Sequence, residues 1–150
     1  MNKVVTYQEE LREILLTMNE LLSKHVEIHD KVFKRGLLSI FKRIPFQEYA
    51  REGSRIQSDI KVLQSNLSLI EMDGTKEDIR IVNVIKDYLS RFAESVNKLT
   101  QITKSLTNKA NGVDFSYKEY NALTEEYNEC EQYRLLLGDK MNSVGRELLN

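Results

Sequence analysis

The 150-residue chain has no tryptophan, one proline, one cysteine, six glycines and two histidines. Each scarcity excludes something. With Pro45 its only proline and glycine rare, the chain lacks the turn residues of a β-sandwich, which leaves long uninterrupted helices. A single cysteine, Cys130, can form no intrachain disulfide, and an unpaired thiol suits a reducing cytoplasm better than a secreted framework. Charge of one sign is also missing: 22 basic residues face 23 acidic ones, a net charge of −1. A nucleic-acid partner would call for a basic excess or stripe, so none is expected. No apolar run approaches the ~20 residues of a membrane span. The N-terminus carries Glu9, Glu10 and Glu13 among its apolar residues, which breaks the apolar run a signal peptide needs.

What is present is a heptad-like spacing repeated four times. Val4, Tyr7, Leu11, Ile14, Met18, Leu21, His25, Ile28 and Val32 step alternately by three and four. Phe46, Tyr49, Gly53, Ile56, Ile60, Leu63, Leu67 and Ile70 do the same, as do Val82, Ile85, Leu89, Phe92, Val96, Leu99, Thr103 and Leu106. The fourth stripe is Tyr120, Leu123, Tyr127, Cys130, Arg134, Leu137, Met141, Val144 and Leu148. A mean step of 3.5 is the seam of a helix packed at a shallow angle on its neighbours. Leu15, Leu22 and Leu135 flank these seams and widen them towards a bundle face.

The breaks agree with the stripes. Pro45 closes the first region, Asp73-Gly74 is a turn, and Thr75 with Asp78 starts the third helix as a cap. Asn111-Gly112 ends that helix, and Ser116 with Glu119 forms a capping box for the fourth. The reading is helices over 5–34, 46–71, 76–109 and 117–148, with a short connecting helix over 36–44. The expected fold is one all-α domain over residues 1–150, an antiparallel up-down-up-down four-helix bundle. A longer dimeric coiled coil sharing the seam is the rival arrangement.

Catalytic and cofactor motifs are lacking: there is no phosphate-binding glycine loop, no C-x-x-C and no H-E-x-x-H. No cofactor is expected. An antiparallel bundle brings the level of His25 on helix 1 to that of Tyr127 and Cys130 on helix 4, so these three could meet. A metal- or Cys-dependent enzyme would use His25, His29 and Cys130, with the two histidines spaced i, i+4 on one face. The structural alternative is a buried Cys130 and a core histidine hydrogen-bonded to a tyrosine or carbonyl, and it outweighs the catalytic one. Arg134 on a seam reads either as a buried anion receptor or as a side chain that snorkels outward to Glu131 while Leu135 fills the core; the second is preferred.

Two surfaces stand out. Lys31, Lys34, Arg35, Lys42 and Arg43 lie in a block without acids that also holds Leu37, Ile40, Phe41 and Ile44. It could bind an anionic partner or a membrane surface, or cap the bundle against the acidic block Glu119–Glu131. Val62 and Leu69 on helix 2, with Ile81, Val84 and Tyr88 on helix 3, sit off the seams around the Asp73-Gly74 turn and could form one exposed patch for a partner or a symmetric homodimer. The function expected is a non-enzymatic, cytoplasmic interaction protein: an adaptor, chaperone-like protein or assembly subunit acting on a protein partner through helix faces. The alternatives are a peripheral membrane protein and the enzyme above. A far-UV circular dichroism spectrum is expected to be dominated by helix; substantial sheet would contradict the whole reading.

Overall fold

The computed structural model describes residues 7–33, 45–73, 75–112 and 116–149. They form four helices packed against one another: α1 (Tyr7–Phe33), α2 (Phe46–Asp73), α3 (Lys76–Ala110) and α4 (Tyr117–Leu149). Lengths of 27 to 35 residues correspond to roughly 40–52 Å. The bounds lie within about two residues of those expected from stripes and caps. The connecting helix expected over 36–44 lies outside the described residues, as does Gly74 of the expected turn.

The helix ends form for the reasons their residues suggest. Thr75 Oγ1 accepts from the Asp78 backbone N–H at 3.2 Å, and the Asp78 carboxylate accepts from the Thr75 N–H at 3.1 Å, a reciprocal capping box. Asn111 caps the other end of α3, and Gly112 follows at φ +86°, the left-handed region that glycine enters without strain. Ser116 Oγ accepts the Glu119 N–H at the start of α4. At the start of α2 the Pro45 carbonyl accepts from the N–H groups of Glu48 and Tyr49.

Cross-helix pairs set the directions. Gln57 bonds to Asn97 and Lys86 to Glu71, so late α2 lies beside early α3. Lys98 with Glu126 and Arg80 with Glu147 relate α3 to α4 in the same way. Arg12 reaches the Leu148 carbonyl while His25 meets Glu131, so α1 and α4 are also antiparallel.

Burial follows the stripes closely. On α1 every seam residue from Leu11 to Val32 is buried, and on α2 every one from Gly53 to Ile70. On α3 burial exceeds the expected seam. Ile81, Tyr88, Ser95 and Ile102 are buried alongside Val82, Leu89, Val96 and Thr103. The helix carries two seams: Ile85, Phe92 and Leu99 belong to both, one flank faces α2, and the other, with Tyr88, faces α4. This is the physical reason α3 is the most enclosed element. Leu135, read as a core residue of α4, is 63 % exposed, and Arg134 takes the interior position instead.

The backbones of α2 and α3 approach closely at Gly53. A Cβ there would stand 2.3 Å from Thr100 Oγ1, and that hydroxyl is held by a 2.7 Å hydrogen bond to the Val96 carbonyl. A side chain at 53 must therefore displace the Thr100 hydroxyl from that bond or push the helices apart. Gly53→Val is expected to lower unfolding free energy by about 1–3 kcal/mol, the usual range for an overpacked core. Gly138 lies in α4 with open space where its Cβ would be, so Gly138→Ala should raise stability by about 0.5–1 kcal/mol. Urea unfolding of the two variants measures both signs.

Candidate functional site

The chemistry-bearing residues converge inside the bundle. His25 of α1 is 1 % exposed, and its Nε2 lies 2.7 Å from Glu131 Oε1 of α4. The Tyr127 hydroxyl, one turn earlier on α4, donates to the same oxygen at 2.7 Å. Arg134 Nε, one turn later, donates to the other carboxylate oxygen. Arg134 Nη1 then donates to the Tyr88 hydroxyl of α3 at 2.9 Å. His29 Nδ1 lies 2.7 Å from the Tyr127 hydroxyl. Phe92 meets the His25 ring edge-on, and Phe33 stacks on Tyr127.

One ionised group orders these protons. A carboxylate only accepts, so His25 must carry its proton on Nε2 and Tyr127 must give its single proton to Glu131. The Tyr127 oxygen is then left with lone pairs alone, and His29 must donate to it. Burial pushes the Glu131 carboxyl upward, but the hydrogen bonds from His25, Arg134 and Tyr127 outweigh it and hold the group down at about 2. Burial and the adjoining Glu131 charge push the Tyr127 hydroxyl far above its usual range, so it remains a donor. Burial opposes the charge on Arg134, and Glu131 restores it, raising the guanidinium above its usual value. Ser95 Oγ is the only buried side-chain polar atom without a hydrogen-bond partner among the described residues. Every buried side-chain polar atom of the cluster therefore has a hydrogen-bond partner, and the space on the α2 side of His25, beside Ile56 and Thr103, admits no water-sized molecule.

The expected meeting of three residues is realised for two. His25 and Tyr127 come together, whereas Cys130 is half-buried rather than buried and makes no hydrogen bond to either histidine. Its charged neighbours are Glu94, Lys98 and Arg91 of α3 and Glu129 of its own helix. No group of three His, Cys, Asp or Glu residues is placed to hold a metal ion among the described residues. The preferred reading of Arg134 is corrected in part: it pairs with Glu131 as expected, but it lies inside rather than snorkelling outward, with the half-buried Glu131 and the buried Tyr88 both accepting from it.

Of the basic block, Lys31 is described. It pairs with Glu27 in its own helix at 2.8 Å and lies over the Tyr49 ring. Lys34, Arg35, Lys42 and Arg43 lie outside the described residues. No described helix is long and apolar enough to cross a membrane. The five-residue patch is also corrected. Ile81 and Tyr88 are buried on the second seam of α3, and Val84 is half-buried against the core. That leaves Val62 and Leu69 of α2 exposed, at 58 % and 65 %, with Met72 beyond them at 79 %.

Beside these α2 residues a groove of about 350 Å³ opens between α1 and α2, walled by Glu10 and Glu13 on one side and Asn66 and Leu69 on the other. Leu63 and Ile70 line it as well. A second groove of about 440 Å³, between α1 and α4, is lined by Met18, Tyr88 and Met141.

Sequence reasoning missed Glu131, half-buried on α4, as the partner of His25 and Tyr127. The signal was its position: four residues after Tyr127 and three before Arg134, both on the seam, so all three share a helix face. Compared with known protein families, with curated proteins and with solved structures, the chain matches none.

Two outcomes follow from this geometry. Glu131→Gln should cost about 2–3 kcal/mol near neutral pH, the usual worth of buried hydrogen bonds to a charged group. The folded carboxyl titrates lower than the unfolded one, so its contribution is complete above the usual 4.5 and drains away as pH falls towards about 2. The stability gap between wild type and variant, followed by urea unfolding against pH, should therefore close on acidification; a constant gap would contradict the assignment. At Cys130, burial and then Glu94 push the thiol up, so alkylation of the native protein should be slow at neutral pH and accelerate as pH rises.

Proposed function

We propose that the chain is a non-enzymatic interaction protein, an adaptor, chaperone-like protein or assembly subunit of the cytoplasm, that engages a protein partner through an outer helix face of an up-down-up-down bundle. The observation that carries this reading is the exposure of Val62, Leu69 and Met72 along α2, beside a groove whose lining is partly apolar. Large apolar side chains left in water forfeit about 1.5–3 kcal/mol each relative to full burial, and grouped ones mark an interface more often than scattered ones do. The interior supports the same reading. His25, His29, Tyr127, Glu131 and Arg134 are engaged with one another, and a chemical step would need at least one of them to face a substrate.

Val62→Glu with Leu69→Glu tests the proposal. Both positions are exposed, so the double variant should keep the wild-type melting temperature within the small range of surface substitutions. Isolated from its native source under gentle conditions, the wild-type chain is expected to elute at a mass above its own 17.5 kDa. The folded double variant should elute alone. Identical elution of the two would overturn the reading.

A further inference from the structure

We propose that the groove between α1 and α2 takes a basic amphipathic helix supplied by a partner protein. This rests on the interaction reading above and adds the chemistry of what binds. The groove lies where α1 begins and α2 ends, with Ile14, Leu63 and Ile70 among its lining and Leu69 on its outer wall. Its opposite wall is Glu10 and Glu13, one helical turn apart, and no basic residue lines it among the described residues. Among the described residues the charge on this wall is uncompensated. Glu27, Glu71, Glu77, Glu94, Glu126 and Glu147 each pair with a lysine or arginine, whereas Glu10 and Glu13 enter no hydrogen bond or ion pair among the described residues.

Exposed apolar side chains of α2, Leu69 with Val62 nearby, set across a groove from two carboxylates have a specific complement. A helix laid in a groove presents anchors at i, i+3, i+4 and i+7. Such a stripe would cover Leu69 over a floor made by the already buried Ile14, Leu63 and Ile70, and lysines or arginines one turn apart on its flank would face Glu10 and Glu13. An acidic helix would bring like charges together, and an anionic lipid surface would be repelled from the same wall. Charge complementarity of this kind selects the partner and speeds encounter more than it adds affinity, so salt should weaken binding.

The test uses a fluorescent synthetic leucine/lysine peptide of about five helical turns with leucines at helical spacing. A leucine/glutamate peptide of the same pattern and a scrambled leucine/lysine peptide serve as comparisons. Fluorescence anisotropy with the full chain should show saturable binding of the patterned basic peptide alone, weakened by salt. Glu10→Gln with Glu13→Gln should weaken it about three- to tenfold, the range for two partly exposed ion pairs. Leu69→Glu should weaken it independently. Glu125→Gln with Glu129→Gln, on exposed α4 positions, should leave it unchanged. Equal binding of the scrambled or acidic peptide overturns the proposal, and so does an equal loss on neutralising Glu125 and Glu129. A wild-type dimer by light scattering that Leu69→Glu breaks would assign the groove to a second copy, and also overturns it. The two readings fail separately. Loss of the native partner from the Val62/Leu69 variant, with no peptide bound by wild type, removes the basic-helix assignment alone. Retention of the native partner by that variant removes the interaction reading.

Discussion

A carboxylate withdrawn from water into a helical bundle loses several kcal/mol of hydration, and the loss is tolerable only if charged and neutral donors surround it. Glu131 imposes that condition here. Its oxygens require a proton from α1 through His25, one from Tyr127 and one from Arg134. Arg134 in turn requires an acceptor on α3, which Tyr88 supplies. Three helices are thereby held at one relative height. Apolar side chains alone would tolerate sliding by a turn with modest loss, since leucine packs on leucine at several registers. A buried polar group with fixed partners does not, which is the best-attested role of such groups in helical assemblies.

The same constraint explains where sequence reasoning succeeds and where it stops. The four stripes and their caps report local facts: periodicity, a Thr75–Asp78 box, a glycine after Asn111. These need no knowledge of neighbours, and the helices follow them. Whether an off-seam residue is covered depends on how many helices surround it. Ile81 and Tyr88 look superfluous if α3 has one face to bury and become core residues once α3 has two. Their spacing holds the information, because Ile81, Ile85, Tyr88, Phe92, Ser95, Leu99 and Ile102 form a second alternation of fours and threes. It is masked by Ser95, which breaks the apolar pattern. Arg134 and Leu135 present the opposite problem. Hydrophobicity ranks the leucine inside and the arginine outside, yet a carboxylate and a phenol at the right height reverse the order. Pairwise partners across helices are invisible to a one-dimensional scale.

The inside and the outside of the bundle have different characters. Inside, the ionisable residues are mutually satisfied and sealed by Phe33 and Phe92, an arrangement that serves register. Outside, the apolar residues of α2 and the acidic wall of α1 meet no complement within the described chain. The histidines, the buried arginine and the core tyrosines thus join helices to one another, and the proposed binding role draws on the outer faces instead.

The central claim is that Glu131 and His25 act as one unit joining α1 to α4. A double-mutant cycle of His25→Leu and Glu131→Leu, read by urea unfolding at neutral pH, measures it directly. Each single change leaves the other member of the pair short of its partner, while the double change removes the pair, and the loss felt by Arg134 and Tyr127 cancels between the Glu131 single and the double variant. The account predicts that the double variant is less destabilised than the sum of the singles by about 1–3 kcal/mol. Strict additivity would show that the two side chains are neighbours without coupling, and that something other than this pair sets the position of α1.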